Sequence, residues 1–365
     1  MLDNVVSTRV PVSGRRLMPA ALLASCFLLA PVASVRAQDP PLPPISIGAA
    51  VRTAFVHNDT EETDVDSTDR FLLDSVRLYV NGSVTPKVKF TFNTEYDGAS
   101  NHLYVLDAVA RFEASDKFNV WAGRMLPPSD RANLYGPYYA HHWSVFTDGV
   151  QDGYPFVAGG RDNGVAYWGQ YGKIKVQAGG YDGLSATGDD TLLGAGRVMV
   201  DFWDPEPGYY LNSTFYGDKN ILAIGAAGQV QGSDKTAYSF DFLLERKTGD
   251  YGSFSVEAEW AKYDRLGGYN ANYGTDDGGF LLGSYLFPTV VGVGQFEILG
   301  KFAQARFREG ITPLDADYDQ KTSELNFNYV MKQFNSRVMV FYKDTRFDAV
   351  LFSFKQFGVG VQLQL

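Results

Sequence analysis

The sequence predicts an all-β protein: a transmembrane antiparallel β-barrel of about 16 strands, with a third outer loop folded inward. Three observations carry that reading. Aromatic side chains make up 15% of the 365 residues and glycines number 38, which suits strands joined by many turns. Apolar and polar residues alternate with period two in segment after segment, and no 3.6-residue period recurs. Dividing the chain among these segments gives each strand and its connection about twenty residues, ample for the roughly 9–11 that cross a membrane as a tilted strand.

The same composition excludes other classes. Hydrophobic residues at 45% with charged residues at 20% do not describe a disordered chain. A single cysteine leaves no disulfide framework and no cysteine-based metal cluster. A formal charge of −10 argues against nucleic acid as a partner.

Residues 1–37 read as a secretory signal peptide. Arg15 and Arg16 precede an apolar run from Leu17 to Val35, which closes on Val35-Arg36-Ala37, an A-x-A-like exit. Pro19 and Pro31 argue against a retained membrane anchor, and the run continues past Cys26, which argues against a lipoprotein box there. Cleavage after Ala37 leaves residues 38–365 as one barrel domain. It removes four arginines and one aspartate and takes the net charge to −13.

In chain order, the alternating segments begin near residues 45, 70, 87, 103, 117, 163, 173, 193, 219, 236, 251, 277, 293, 320, 335 and 355. In the second, Val76, Leu78 and Val80 alternate with Ser75, Arg77, Tyr79 and Asn81. In the third, Val88, Phe90 and Phe92 oppose Lys87, Lys89, Thr91 and Asn93. In the eleventh, Phe254, Val256, Ala258 and Trp260 oppose Ser253, Ser255, Glu257 and Glu259. The last is the clearest: Phe357, Val359, Val361, Leu363 and Leu365 alternate with glycines and glutamines. After Gln295, Phe296, Ile298 and Phe302 oppose Glu297 and Lys301, but Gln304 and Arg306 then fall on the apolar side. Either a bulge shifts the register after Phe302 or the strand has left the apolar zone.

If the first strand runs outward, the outer connections 57–69, 125–162, 264–276 and 307–319 are long, while the inner ones at 114–116, 171–172 and 248–250 are short. That is the asymmetry of bacterial outer-membrane barrels. The inner connection at 204–218 is too long for the rule and suggests a miscounted hairpin. A soluble β-sandwich or propeller also alternates, but one of its faces packs a core. Here the polar face carries charges in strand after strand, which a packed core does not accept unpaired.

With the apolar faces toward lipid, the polar faces line a water-filled lumen. Its basic candidates are Arg77, Lys87, Lys89, Arg111 and Lys301, with Arg197 and Arg337; its acidic candidates include Glu257, Glu259 and Glu297. The plain reading is a hydrated wall whose charges pair across neighbouring strands. The sharper one is a transverse field that orients solutes and sets ion preference. The 125–162 connection is the longest, and Tyr135-Gly136-Pro137-Tyr138-Tyr139 and His141-His142-Trp143 favour its burial in the lumen. The expected constriction comprises Arg124, Arg131 and Arg161 with Tyr135, Tyr138 and Tyr139, opposed across the pore by Glu257, Glu259 and Glu297. The alternative for these arginines is salt bridges to Asp130, Asp148 or Asp162 that pin the loop to the wall.

Other chemistry finds little support. His141 and His142 are adjacent and point apart in extended chain, with no cysteine to join them, so no metal is expected. The acidic run in 57–69 is a solvated face or a holder of divalent cations bridging lipopolysaccharide. No phosphate loop, nucleophile elbow or zinc-helix motif is present, and His142 and Ser144 lack a third partner, so neither cofactor nor catalytic step is expected. The expected function is passive diffusion of small hydrophilic solutes or ions through a pore set in outer-membrane lipid and lipopolysaccharide. The rivals are a barrel enzyme acting on lipid or sugar and a structural barrel with a plugged lumen.

Two stretches carry a family resemblance. The run Trp121-Ala122-Gly123-Arg124-Met125-Leu126-Pro127-Pro128-Ser129-Asp130-Arg131 resembles the strand-to-loop signature of the phosphate-selective porin O and P group, where a Gly-Arg pair ends a strand and prolines open the constriction loop. Asp204-Pro205-Glu206-Pro207-Gly208-Tyr209-Tyr210 through Gly217-Asp218-Lys219 to Gly225 is similar to porins of that broad group. The resemblance implies a sixteen-stranded, trimeric porin for small hydrophilic solutes, among them anions such as phosphate. Phosphate selectivity in the family rests on an inward ladder of arginines and lysines, whereas the inward charges here are mixed. Members often end in Phe; this chain ends in Leu365.

Overall fold

The computed structural model describes residues 44–60, 67–145, 160–183, 191–266, 273–310, 312, 316–348 and 353–365. The expected signal segment lies outside them, as do Glu61, Glu62, Asp64 and Asp66 of the acidic run and residues 146–159 of the long loop.

Among the described residues sixteen strands form one closed antiparallel barrel. They are β1 (Ile45–Thr60), β2 (Thr68–Ser83), β3 (Val88–Asp97), β4 (His102–Ser115), β5 (Phe118–Met125), β6 (Asp162–Tyr171), β7 (Ile174–Tyr181) and β8 (Leu193–Asp201). They continue as β9 (Ile221–Gln231), β10 (Lys235–Lys247), β11 (Ser253–Asp264), β12 (Tyr273–Val291), β13 (Gly294–Gly310), β14 (Tyr318–Lys332), β15 (Ser336–Phe347) and β16 (Ser353–Gln364). Each begins within four residues of its expected start. Every strand pairs with its neighbours in sequence, and β1 closes the ring on β16 from Ala50–Gln364 to Thr60–Phe354. Closure leaves no open edge, so the backbone groups at membrane depth are paired within the sheet.

The two-residue pleat explains the burial. Along β11, Ser253, Ser255, Glu257 and Glu259 are buried inside while Phe254, Val256, Ala258 and Trp260 face outward. On the outer surface Phe71 is 88% and Leu103 71% exposed. An apolar belt of that extent requires lipid around it. No helix among the described residues is long and apolar enough to cross a membrane, so the strands do the crossing. At the inner rim Phe118, Tyr167 and Tyr171 cluster, and so do Tyr285, Phe287, Phe296 and Tyr329. Their hydroxyls reach turn carbonyls, as in Tyr167 to Lys117 at 2.8 Å, in the manner of an interfacial aromatic girdle. The protein is thus a closed barrel with the outer surface of a membrane-spanning one.

Two ambiguities of the sequence are resolved. The pairing of β13 with β14 runs from Gln295 to Phe307 without a shift, so no bulge follows Phe302. Gln304 and Arg306 stay on the outward face beyond the apolar belt, and Arg306 pairs with Asp277, while Ala303, Ala305 and Phe307 pack inside. Between β8 and β9, residues 202–220 form a single connection and no hairpin was missed.

Candidate functional site

The lumen is shaped by the β5–β6 loop. At the end of β5, Gly123 adopts φ +131°, and a Cβ there would lie 2.1 Å from the Ala108 carbonyl oxygen, so only glycine fits. Past Pro127 and Pro128, Asp130 caps a short helix, α1 (Arg131–Tyr135), by accepting from the Asn133 backbone N–H at 2.8 Å. Gly136, at φ +60°, ends the helix, and Pro137–Tyr139 form one 3-10 turn. From there the loop crosses the lumen to Val145 almost wholly buried.

Its anchors come from strands far apart in sequence. Arg52 on β1 donates to the Pro137 and Trp143 carbonyls at 2.6 and 2.8 Å and lies over the Trp143 ring at 4.1 Å. Trp143 stacks on Phe341 (5.4 Å, 6°), and Gly360 leaves room for it, since a Cβ there would meet the indole at 2.3 Å. Gln362 donates to the Tyr138 carbonyl at 2.9 Å, and the Asn326 amide oxygen accepts from the Trp143 N–H at 3.2 Å. Ala132, Tyr135, Ala140 and Val145 pack on Phe280, Leu282, Leu299 and Ala303. The loop therefore adheres to β1, β2 and β8–β16.

Along the β1–β5 wall the described residues line a cavity of about 760 Å³. It runs from Ser46, Asn335 and Gln364 at the inner rim to Asp107 and Arg161. Its charged side chains are Arg77, Arg111 and Arg161 together with Asp107, Glu206 and Asp218, and each arginine has an acidic neighbour. Arg77 meets Glu95 at 3.0 Å, Arg111 meets Glu113 at 3.6 Å and Arg161 meets Asp107 at 3.4 Å. Lys89 also reaches Glu113, at 2.7 Å. Tyr79, Trp121, Tyr139 and Tyr210 add aromatic surface. Burial pushes the Tyr210 phenol well above its ordinary range, and its hydroxyl donates to Asp107 at 3.3 Å.

The expected site residues divide accordingly. Tyr135, Tyr139 and Arg161 border the cavity, as do Arg77 and Arg111 on the wall. Tyr138 is fully buried and donates to the Ser75 carbonyl at 3.1 Å. Arg131 does not face the cavity: it is 0% exposed and ion-paired with Glu206 (2.5 Å) and Asp241 (3.3 Å). The second reading of the loop arginines, as pins, describes its geometry, although its partners are not the aspartates expected. Arg124 sits in the outward-facing set of β5 and donates to the Val105 carbonyl at 2.9 Å, because the pleat places it opposite Met125. Lys87 is exposed on the inner β2–β3 turn.

Glu257, Glu259, Glu297 and Lys301 point inward as the alternation requires, but they lie beneath the β5–β6 loop and border no part of the cavity. Glu259 accepts from the Ala132 N–H at 3.0 Å, Glu297 contacts His141 Nδ1 at 3.0 Å, and Lys301 sits 4.4 Å from the Phe280 ring centre. The acidic wall expected to oppose the arginines across water is thus a bed on which the loop rests. The His141 and His142 rings stand 6.0 Å apart at 66°, and no metal-holding group of His, Cys, Asp or Glu gathers among the described residues.

One participant was missed from sequence. Residues 202–220 enter the lumen from the inner side and supply Glu206, Tyr210, Leu211 and Thr214 to the cavity lining. The excess length of this inner connection and its Tyr209-Tyr210 pair were the available signals.

No family model matches the chain, and no curated protein matches it by sequence. Solved structures do match in fold. OmpF of Salmonella typhi, in complex with daunomycin, superposes with a TM-score of 0.56 at 12% identity over 88% of this chain and 98% of that one. An anion-selective porin from Comamonas acidovorans gives 0.55 at 14% over 88% and 99%. A trimer form of OmpT, an outer membrane protein of Vibrio cholerae, gives 0.54 at 13% over 88% and 99%. The chain has the fold of bacterial outer-membrane porins.

Proposed function

We propose that the barrel is a porin: a water-filled channel for passive diffusion of small hydrophilic solutes and ions, with no chemical step. The single observation carrying this is the polar cavity along the β1–β5 wall, inside a closed barrel whose outer face is apolar. Arg77, Arg111 and Arg161 hold planar, permanently charged forks at that wall, which suits carboxylate or phosphate groups. Their pairing with Glu95, Glu113 and Asp107 tempers any anion preference, so the reading is a weakly anion-preferring pore and not a dedicated phosphate channel. Membership of the phosphate-selective porin O and P group and assembly as a homotrimer in lipid and lipopolysaccharide belong to the same reading. The trimeric fold relative supports the latter. A catalytic reading is disfavoured by the histidines: His141 is occupied by Glu297, and among the described residues neither ring nitrogen of His142 meets a hydroxyl.

A plugged barrel is the second reading, favoured by the lumen being filled from both ends by the β5–β6 loop and the β8–β9 connection. Single-channel recording in a planar bilayer separates the two. Stable open steps are expected, with a reversal potential in a salt gradient near that of a weakly selective pore. Replacing Arg111 and Arg161 with Ala removes two positive charges from the wall while Glu113 and Asp107 stay, and should move the reversal potential toward cation preference. A folded, inserted barrel that stays silent rejects the channel, and an unmoved reversal potential rejects these arginines as its charge filter.

A further inference from the structure

The inner connections of this barrel span two to five residues, with one exception: residues 202–220, between β8 and β9. The base of this segment prolongs the strand ladder, with Phe202 N donating to Leu222 O at 2.7 Å and Asp204 N to Asn220 O at 3.0 Å. Beyond that base the chain turns up into the lumen and is rooted on β10. The Glu245 carboxylate there accepts from Thr214 Oγ1, Phe215 N and Gly217 N at 3.0, 2.7 and 2.6 Å.

The tip of the segment docks on the β5–β6 loop. Tyr209 donates its hydroxyl to Leu126 O (2.8 Å), Leu211 N donates to Leu134 O (3.3 Å) and Ser213 N donates to Tyr139 O (3.0 Å). Ser213 Oγ accepts from His141 N at 2.9 Å. Four backbone groups of the loop, which would otherwise be buried without partners, are thereby satisfied. The Glu206 carboxylate clasps the Arg131 guanidinium at 2.5 and 3.0 Å, both side chains being at most 1% exposed. Opposite the Arg77 and Arg111 wall, the cavity is bounded by this segment's Tyr210, Leu211, Thr214 and Phe215.

We propose that the β8–β9 connection is a second constriction element. It enters from the inner mouth, locks onto the β5–β6 loop through Arg131–Glu206 and the four backbone contacts, and sets the bore jointly with that loop. Solutes then pass between a guanidinium-bearing wall and an aromatic face contributed from the inner side. This rests on the channel reading above.

The test is planar-bilayer recording of the parent and of a variant in which residues 206–218 are replaced by a two-glycine turn, keeping the Phe202–Leu222 and Asp204–Asn220 base. Both are first shown to be folded by heat-modifiable gel migration. The variant should conduct severalfold more, with a noisier open level as the outer loop loses its partner. Equal conductance in parent and variant overturns the proposal while leaving the channel intact. Silence in both overturns the channel reading and this proposal with it. A silent parent with a conducting variant overturns the open channel and supports the segment as an occluding element. Should the replacement fail to fold, the Leu134→Cys/Leu211→Cys pair provides a second measurement, since Cys26 in the expected signal is the chain's one native cysteine. The facing backbones predict spontaneous cross-linking in the folded barrel. Free thiols in a folded, oxidised sample overturn the docked geometry.

Discussion

Arg131 shows how far a side chain's neighbours decide its role. Read from sequence it is a constriction cation; in the fold it is a fully buried clamp between Glu206 and Asp241 that also donates to the Asn212 carbonyl at 3.1 Å. Asp241 keeps a second partner in Arg197 (2.5 Å), whereas no other ion pair is described for Glu206. Arg131→Ala therefore strands a buried carboxylate and is expected to cost about 3–5 kcal/mol, the range for breaking a buried pair. The measurement is urea unfolding of the detergent-solubilised barrel. Lys at this position restores a charge but not the fork that reaches both carboxylates, so it should recover only part of the loss. A midpoint unchanged by Arg131→Ala would mean that the clamp contributes nothing to the fold.

Among the elements, the β5–β6 loop carries a buried titrating group. His142 sits on this loop, outside the strands, and is 0% exposed with no hydrogen-bond partner on either ring nitrogen among the described residues. Burial, with Lys301, His141, Arg337 and Arg52 nearby, holds its pKa well below the ordinary imidazole value, so the docked form is neutral. An undocked loop takes up the proton first. Docking therefore has its full stability above about pH 6.5 and loses up to about 1.4 kcal/mol per unit as the pH falls below that value. The expected outcome is rising open-channel noise between roughly pH 7 and pH 5, flattened in His142→Phe. Identical acid dependence in parent and variant would assign the titration to another group.

For the whole molecule, the closed ring of sixteen strands predicts behaviour that no single segment has. Unfolding must break the β1–β16 seam and its neighbours together, since every strand is paired on both sides. Unheated samples should therefore migrate as a compact species on gels and shift only after boiling, and circular dichroism in detergent should be β-dominated. Fractionation with soluble periplasmic proteins would contradict the apolar belt on which the membrane placement rests.

The sequence by itself determined the strands, their inward and outward faces and the length asymmetry of their connections. These follow from the two-residue pleat and from a lipid surround that tolerates only apolar side chains on one face, both local rules. Arg77 and Arg111 were legible as wall residues for the same reason. Where a loop comes to rest inside the barrel is not local. The burial of Arg131, the bed formed by Glu257, Glu259 and Glu297, and the in-folding of residues 202–220 depend on side chains from β1, β10, β13, β14 and β16 meeting across the lumen. Only the closed barrel brings those strands together, and only then is it settled which charges face water and which are neutralised behind a loop.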